Sequence, residues 1–401
     1  MAFKKTGLES QVIWLVEVWS YKIKVCVCEF KNDRVEILAY SEKRQSTSYF
    51  VNGECKNLEM LGTSIKDAIR KTEKDHEIII KDIILNFPFG ELFFYGNKLN
   101  YKRENEKFPL SKPELEKILG KTQKLMIDKS FKNIEKKTGF TEEDLKLMLS
   151  SIVDIKIDKT HVAKVVGSIW RDISISLVNI FIPNNKSSII KYLWEIIERK
   201  IKKIVPTEFA LRNLCREDDI VIVHIGAIYT SVTIKKGGKI SGISKIAIGL
   251  SDLVTMISKH HKETHAKILK KIHSWSYENQ EKIFLEIWKE GLVVGIQDII
   301  GTKILPKNIF VLSDASEELF KEAISNIEFK KKELKLVKKL NFVEVKEKFI
   351  SKEISNYDDF KEEINLEIYA MILEMKNIIK NEKRILIKSL KKAVYDLWYS
   401  D

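Results

Sequence analysis

The stretch that decides the fold is VIWLVEV (12–18), KIKVCVCEF (22–30) and RVEILAY (34–40), three β-rich runs separated by very short connections. The middle run alternates Ile23, Val25 and Val27 against Lys22, Lys24, Cys26 and Cys28. That period of two predicts an antiparallel meander. Leu58, Leu61, Ile65, Ala68 and Ile69 then recur at helical spacing, and 78–87 is a β-rich apolar run ended by Pro88. The order is βββαβ. The second half repeats it. Runs 220–225, 229–235 and 239–248 read as strands, the last two joined by a Gly237-Gly238 hairpin turn. A helical stretch follows, then a strand at 309–312 and a helix over 316–324. Two such halves predict a duplicated, two-lobed α/β fold, because each meander needs helices to cover its faces.

Between the halves lies a segment of different character, 91–200. Ser111-Lys112-Pro113-Glu114 is a capping-box helix start, and Thr141-Glu142-Glu143-Asp144 opens a second, short helix. Strands at 152–157 and 173–182 and a helix from Ser187 complete what reads as an inserted α+β subdomain.

Composition narrows the class of protein. The chain has 401 residues, 44% of them hydrophobic and 32% charged, which suits several folded units rather than disorder. A net charge of +13 favours acidic partners in principle, but the basic residues are spread along the chain. The Lys-rich run 329–339 has no interleaved aromatic platform, so nucleic acid is not expected as a partner. The four cysteines form no CxxC pair, which fits a reducing compartment, and Cys26 and Cys28 read as core residues. His261 and His265 lack a metalloprotease HExxH arrangement, and no metal or catalytic residue is assigned. P-loop, dinucleotide and hydrolase-elbow motifs are missing from the sequence.

The order of elements from Val12 to about Met375 resembles the actin-like ATPase superfamily, and within it the bacterial cell-division FtsA family, with the PilM family of pilus assembly as the near competitor. Ile204-Val205-Pro206-Thr207-Glu208-Phe209-Ala210-Leu211 is similar to that superfamily's strand–Pro–helix entry into the second lobe. The resemblance implies a ribonuclease H-like duplicated fold whose two phosphate loops correspond to 17–22 and 224–230, with MgATP in the cleft. Both loops depart from the pattern. Trp19 stands where the first has Gly, while Ile228 and Tyr229 stand where the second has small residues. Glu17 occupies the first Asp position and His224 the second, and His224 is a poor ligand for hard magnesium. The third element, 313–316, contains no Gly. Glu17, Ser20, Lys22, Gly226, Thr230, Gly249 and Ser313 are therefore expected to line a degenerate nucleotide cleft with weak or absent ATP and magnesium binding.

A second signal is the tail, 383–401. Leu386, Leu390, Val394, Leu397 and Trp398 share one helical arc, and Lys388, Lys391 and Lys392 lie on the other side. This basic amphipathic pattern suits a helix in the interface of an anionic membrane. The expected organisation is a first lobe (8–90), insert (91–200), second lobe (201–345), return segment (346–382) and amphipathic tail (383–401). The resemblance implies a cytoplasmic pseudo-ATPase scaffold, peripheral on the inner membrane face. It would tether a tubulin-like division polymer such as FtsZ, or other division proteins, with possible self-association. The alternatives are a PilM-like adaptor of a type IV pilus and an active actin-fold ATPase or sugar kinase.

Overall fold

The computed structural model describes residues 11–385 except 20, 32–33, 47–48, 52–53, 105, 159, 161–164, 266, 269–278, 302–303, 314–316, 330–333 and 336–338. The amphipathic tail from 386 onward lies outside the described residues, as does Ser20.

In the first half, β1 (Gln11–Val18), β2 (Lys22–Lys31) and β3 (Arg34–Arg44) form the expected meander. Helix α1 (Leu58–Asp75) leads to β4 (Asp82–Asn86), which pairs parallel with β1. The chain then leaves the lobe through β5 (Phe93–Lys102), α2 (Lys112–Thr138), β6 (Leu145–Ile157) and β7 (Asp172–Pro183). It returns as α3 (Asn184–Ile197) and β8 (Lys200–Ile204), the latter pairing parallel with β4. The sheet order is β8-β4-β1-β2-β3.

The second half repeats this plan. After the short helix α4 (Thr207–Ala210) come β9 (Ile220–Ile225), β10 (Thr230–Lys236) and β11 (Lys239–Ile246). Gly237 and Gly238 both have positive φ, as a tight hairpin turn requires. Helices α5 (Leu250–His261) and α6 (Asn279–Ile300) precede β12 (Asn308–Ser313), which is parallel to β9. Helix α7 (Glu317–Ser325) and β13 (Asn341–Phe342) close the sheet in the order β11-β10-β9-β12-β13. The two five-stranded sheets thus share one topology, an antiparallel meander extended by two parallel strands.

Two features of the insert differ from the sequence reading. Its sheet, β5-β7-β6, contains the strand Phe93–Lys102, which the sequence did not announce because Asn97, Asn100 and flanking polar residues leave it half exposed. The segment 184–204, split between the expected insert and second lobe, belongs with the first lobe. Ile190, Leu193 and Ile197 of α3 are buried in the same core as Leu61, Ile65 and Ile69 of α1, and β8 completes the first sheet. The insert also touches the second lobe. Lys239 Nζ lies 3.3 Å from Asp154 and donates to Ser176 Oγ at 3.1 Å, and Ile240 joins the first lobe's core.

A last helix, α8 (Leu366–Ile385), lies between the lobes. Ile368, Ala370, Met371 and Ile372 pack with Leu15 and Cys26 of one sheet and Ile220 and Ile222 of the other. Cys26 and Cys28 are fully buried there. Among the described residues, no helix is long and apolar enough to cross a membrane.

Candidate functional site

The site lies where the first strands of the two sheets end beneath α8. Ile13, Leu15 and Glu17 alternate along β1 toward this helix, and Ile220, Ile222 and His224 do the same along β9. Glu17 and His224 therefore hold equivalent positions in the duplicated lobes. Each is the last residue of its strand to face the centre.

Glu17 is directly opposite Lys24 in the β1–β2 register, and Lys24 Nζ approaches its carboxylate to 3.1 Å. Both side chains are almost completely inaccessible, at 0% and 1%. Burial raises the Glu17 carboxyl above the ordinary range, and the Lys24 ammonium opposes that rise. Lys24 also stands over the Trp19 ring, 4.8 Å from its centroid. Trp19 is itself buried and meets the His224 ring edge-on at 5.9 Å. From α8, Glu367 brings a second buried carboxylate within 3.4 Å of His224 Nε2. Burial raises the Glu367 carboxyl, but hydrogen bonding from His224 and the charge of Lys24 outweigh it and leave it below the usual range.

A second buried pair stands beside the first. Lys245 Nζ lies 2.9 Å from Glu208, donates to the Phe89 carbonyl at 2.6 Å and sits over the Tyr229 ring at 4.2 Å. The Tyr229 hydroxyl donates to Glu208, and burial beside that carboxylate holds the phenol well above its normal range. Burial raises Glu208 too, but the Lys245 charge and the hydrogen bonds overcome it, so the folded carboxyl is lowered. A lowered carboxyl contributes stability above its unfolded pKa and loses it as pH falls through the folded value. The stability difference between wild type and Glu208→Gln is therefore expected to be full at neutral pH and to shrink in acid below the ordinary glutamate range. Urea unfolding across that range measures it.

The second loop is fastened by its own backbone. Gly226 N donates to Tyr229 O at 3.0 Å, while the carbonyls of Gly226 and Ala227 accept from Leu250 N at 2.9 Å and Ser251 N at 2.8 Å. The first amides of α5, which would otherwise face an anion, are thereby engaged by loop carbonyls. Thr230 Oγ1 donates to the Ile248 carbonyl at 2.8 Å and accepts from Trp288 Nε1 at 2.9 Å. Gly249 permits the close approach, since a Cβ there would lie 2.6 Å from both Ala227 O and Tyr229 N. Those atoms are backbone and cannot swing aside. Gly249→Ala is expected to cost about 3 kcal/mol through overpacking and to abolish hydrogen-exchange protection at Leu250 and Ser251.

Of the residues singled out from sequence, Glu17, Gly226, Thr230 and Gly249 come together here. Lys22 does not join them. It lies at the sheet surface, 3.4 Å from Glu42, and Lys24 supplies the inward cation. Ser313 ends β12 opposite Ile225, next to residues outside the description. Lys24, Glu208, Lys245 and Glu367 were missed. The alternation of β2 placed Lys24 on the face of Cys26, but no local signal brings in Glu367. Between the loops, Trp19, Asn86, Thr207, His224, Ile228 and Tyr229 line a cavity of about 30 Å³, space for roughly one water. Asn86 donates to Thr207 across it. No group of three or more His, Cys, Asp or Glu among the described residues is placed to hold a metal.

No family model and no curated protein matches the chain. It is similar to a chain of the PilM-PilN type IV pilus biogenesis complex, at 10% identity over 95% of this chain and 98% of that one, with a TM-score of 0.53. Also similar are the ethanolamine utilization protein EutJ from Carboxydothermus hydrogenoformans (11% identity, 82% and 86% covered, TM-score 0.44) and a Bacteroides thetaiotaomicron protein with an actin-like ATPase fold (10%, 90% and 95%, 0.39). The chain has the two-lobed actin-like ATPase fold.

Proposed function

We propose that this chain is a non-hydrolysing adaptor that keeps the two-lobed architecture as a scaffold for a protein partner, as PilM has PilN in the type IV pilus biogenesis complex. The observation that carries the reading is the buried Glu17–Lys24 pair with Trp19 packed against His224. MgATP does not fit these residues. The one acid at the first loop is already neutralised by an internal ammonium, and the second loop's carbonyls are engaged by α5. Among the described residues the cavity between the loops, about 30 Å³, is far below the ~300 Å³ or more of a nucleotide-sized pocket. Likeness of fold over nearly the whole length of both chains supports the PilM-like form of the proposal.

The test is direct. MgATP is expected to leave the thermal unfolding midpoint unchanged and to show no turnover above the protein-free rate. A saturable upward shift of that midpoint, or magnesium-dependent phosphate release, overturns the reading. A second reading, an FtsA-like tether of a tubulin-like polymer to the membrane, draws on the amphipathic pattern of 383–401. It requires lipid binding that disappears when Lys388, Lys391 and Lys392 are reversed in charge.

A further inference from the structure

At the end of the inserted sheet away from its junctions with the first lobe, two loops are tied together by backbone. Leu110 N donates to Ser168 O at 2.9 Å and Gly167 N to Leu110 O at 2.8 Å. Beneath them Arg103, with a fully buried side chain, makes a bidentate pair with Glu114 at 2.8 Å and 2.8 Å. It also donates to the carbonyls of Phe108 and Trp170 and stacks on the Trp170 ring. This scaffold holds two large apolar side chains out of the protein, with Phe108 67% and Ile169 63% exposed. Fixing the loops beforehand lowers the entropic cost of using such residues as anchors.

Helix α2 starts at this end, immediately after its Ser111 cap. Its exposed face carries Lys117, Lys121 and Lys124, none of them in an ion pair among the described residues, with Leu125 57% exposed beside them. At 100° and 1.5 Å per residue these four share an arc of about 100° and lie within about 20 Å of the helix start. Asp128 falls within the same arc but is only partly exposed, and Glu116 falls outside it, so three exposed lysines against one half-buried carboxylate leave the stripe cationic.

We propose that this end of the insert is a docking surface for an anionic lipid bilayer, with Phe108 and Ile169 entering the acyl boundary and Lys117, Lys121 and Lys124 at the headgroups. The apolar residues project from loop ends rather than lining a groove. A bilayer interface accepts such projections, and cations beside them gain from an anionic surface. This site uses no residue of the nucleotide-like cleft or of the segment 383–401, and it does not rest on the function proposed above.

The experiment is flotation of the full chain with phosphatidylglycerol–phosphatidylcholine vesicles, in a background where Lys388, Lys391 and Lys392 are changed to Glu so that the tail's contribution is removed. Flotation is expected to persist in that background, to vanish with pure phosphatidylcholine, and to weaken with salt. Phe108→Ser with Ile169→Ser, and separately Lys117→Glu with Lys121→Glu and Lys124→Glu, should each lower the bound fraction about fivefold or more with unchanged circular dichroism. Loss of all flotation in the tail background, or flotation of either surface variant equal to that of the parent carrying only the tail changes, overturns the proposal. So does retention on a polyglutamate matrix through the three lysines without vesicle binding, which would assign the face to an acidic protein.

Discussion

Replacing Lys24 by Met is expected to destabilise the protein by about 3–5 kcal/mol, because the Glu17 carboxylate is left buried without its ammonium. The pair has 3.1 Å separation and no solvent to share the charge. With Glu367 also buried nearby, the remaining negative charges repel, and Glu17 takes up a proton instead. The loss is therefore expected to be smaller in mild acid than at neutral pH. Urea unfolding reads both effects. A companion variant, Lys24→Met with Glu17→Leu, should recover most of the loss, since an apolar pair replaces a buried ion pair at little cost. If Lys24→Met alone falls within about 1 kcal/mol of wild type, as for a solvent-screened surface pair, the internal-cation account of the cleft is lost.

Trp288→Ala is expected to cost a further class of stability, about 3–5 kcal/mol, by emptying the core of the second lobe. Trp288 is fully buried on α6 and packs on Phe320 with ring centroids 4.8 Å apart. Its indole N–H also orients Thr230, whose hydroxyl is bonded onward to Ile248 O. Trp288→Phe separates these roles. It keeps most of the apolar contact, loses one donor, and should cost about 1 kcal/mol while loosening the 226–230 loop. Denaturant midpoints for the pair of variants, with hydrogen exchange at Gly226 and Leu250, decide whether the indole acts on the loop or only on the core.

The duplicated fold was legible because its evidence is local. Ile23-Val25-Val27 and the 220–225 run state their strand period within a few residues, and Gly237-Gly238 states its turn. The insert was only partly legible. Phe93–Lys102 buries little on one face, so its alternation is weak, whereas the Ser111 cap of α2 is written in four consecutive residues.

By itself the sequence determined the order of elements in the two lobes and the bulk of Trp19, Ile228 and Tyr229, and the family resemblance put Glu17 and His224 at corresponding positions. Tertiary structure decided what those residues do. Lys24 rather than Lys22 meets Glu17 because cross-strand register and depth, not proximity in the chain, select the partner. Glu367 joins His224 only when α8 packs between the sheets, and Lys245 finds Glu208 only when β11 folds over α4. Buried charge must find its counter-charge wherever packing brings one. That requirement acts across the whole molecule and leaves no pattern in any short stretch of sequence.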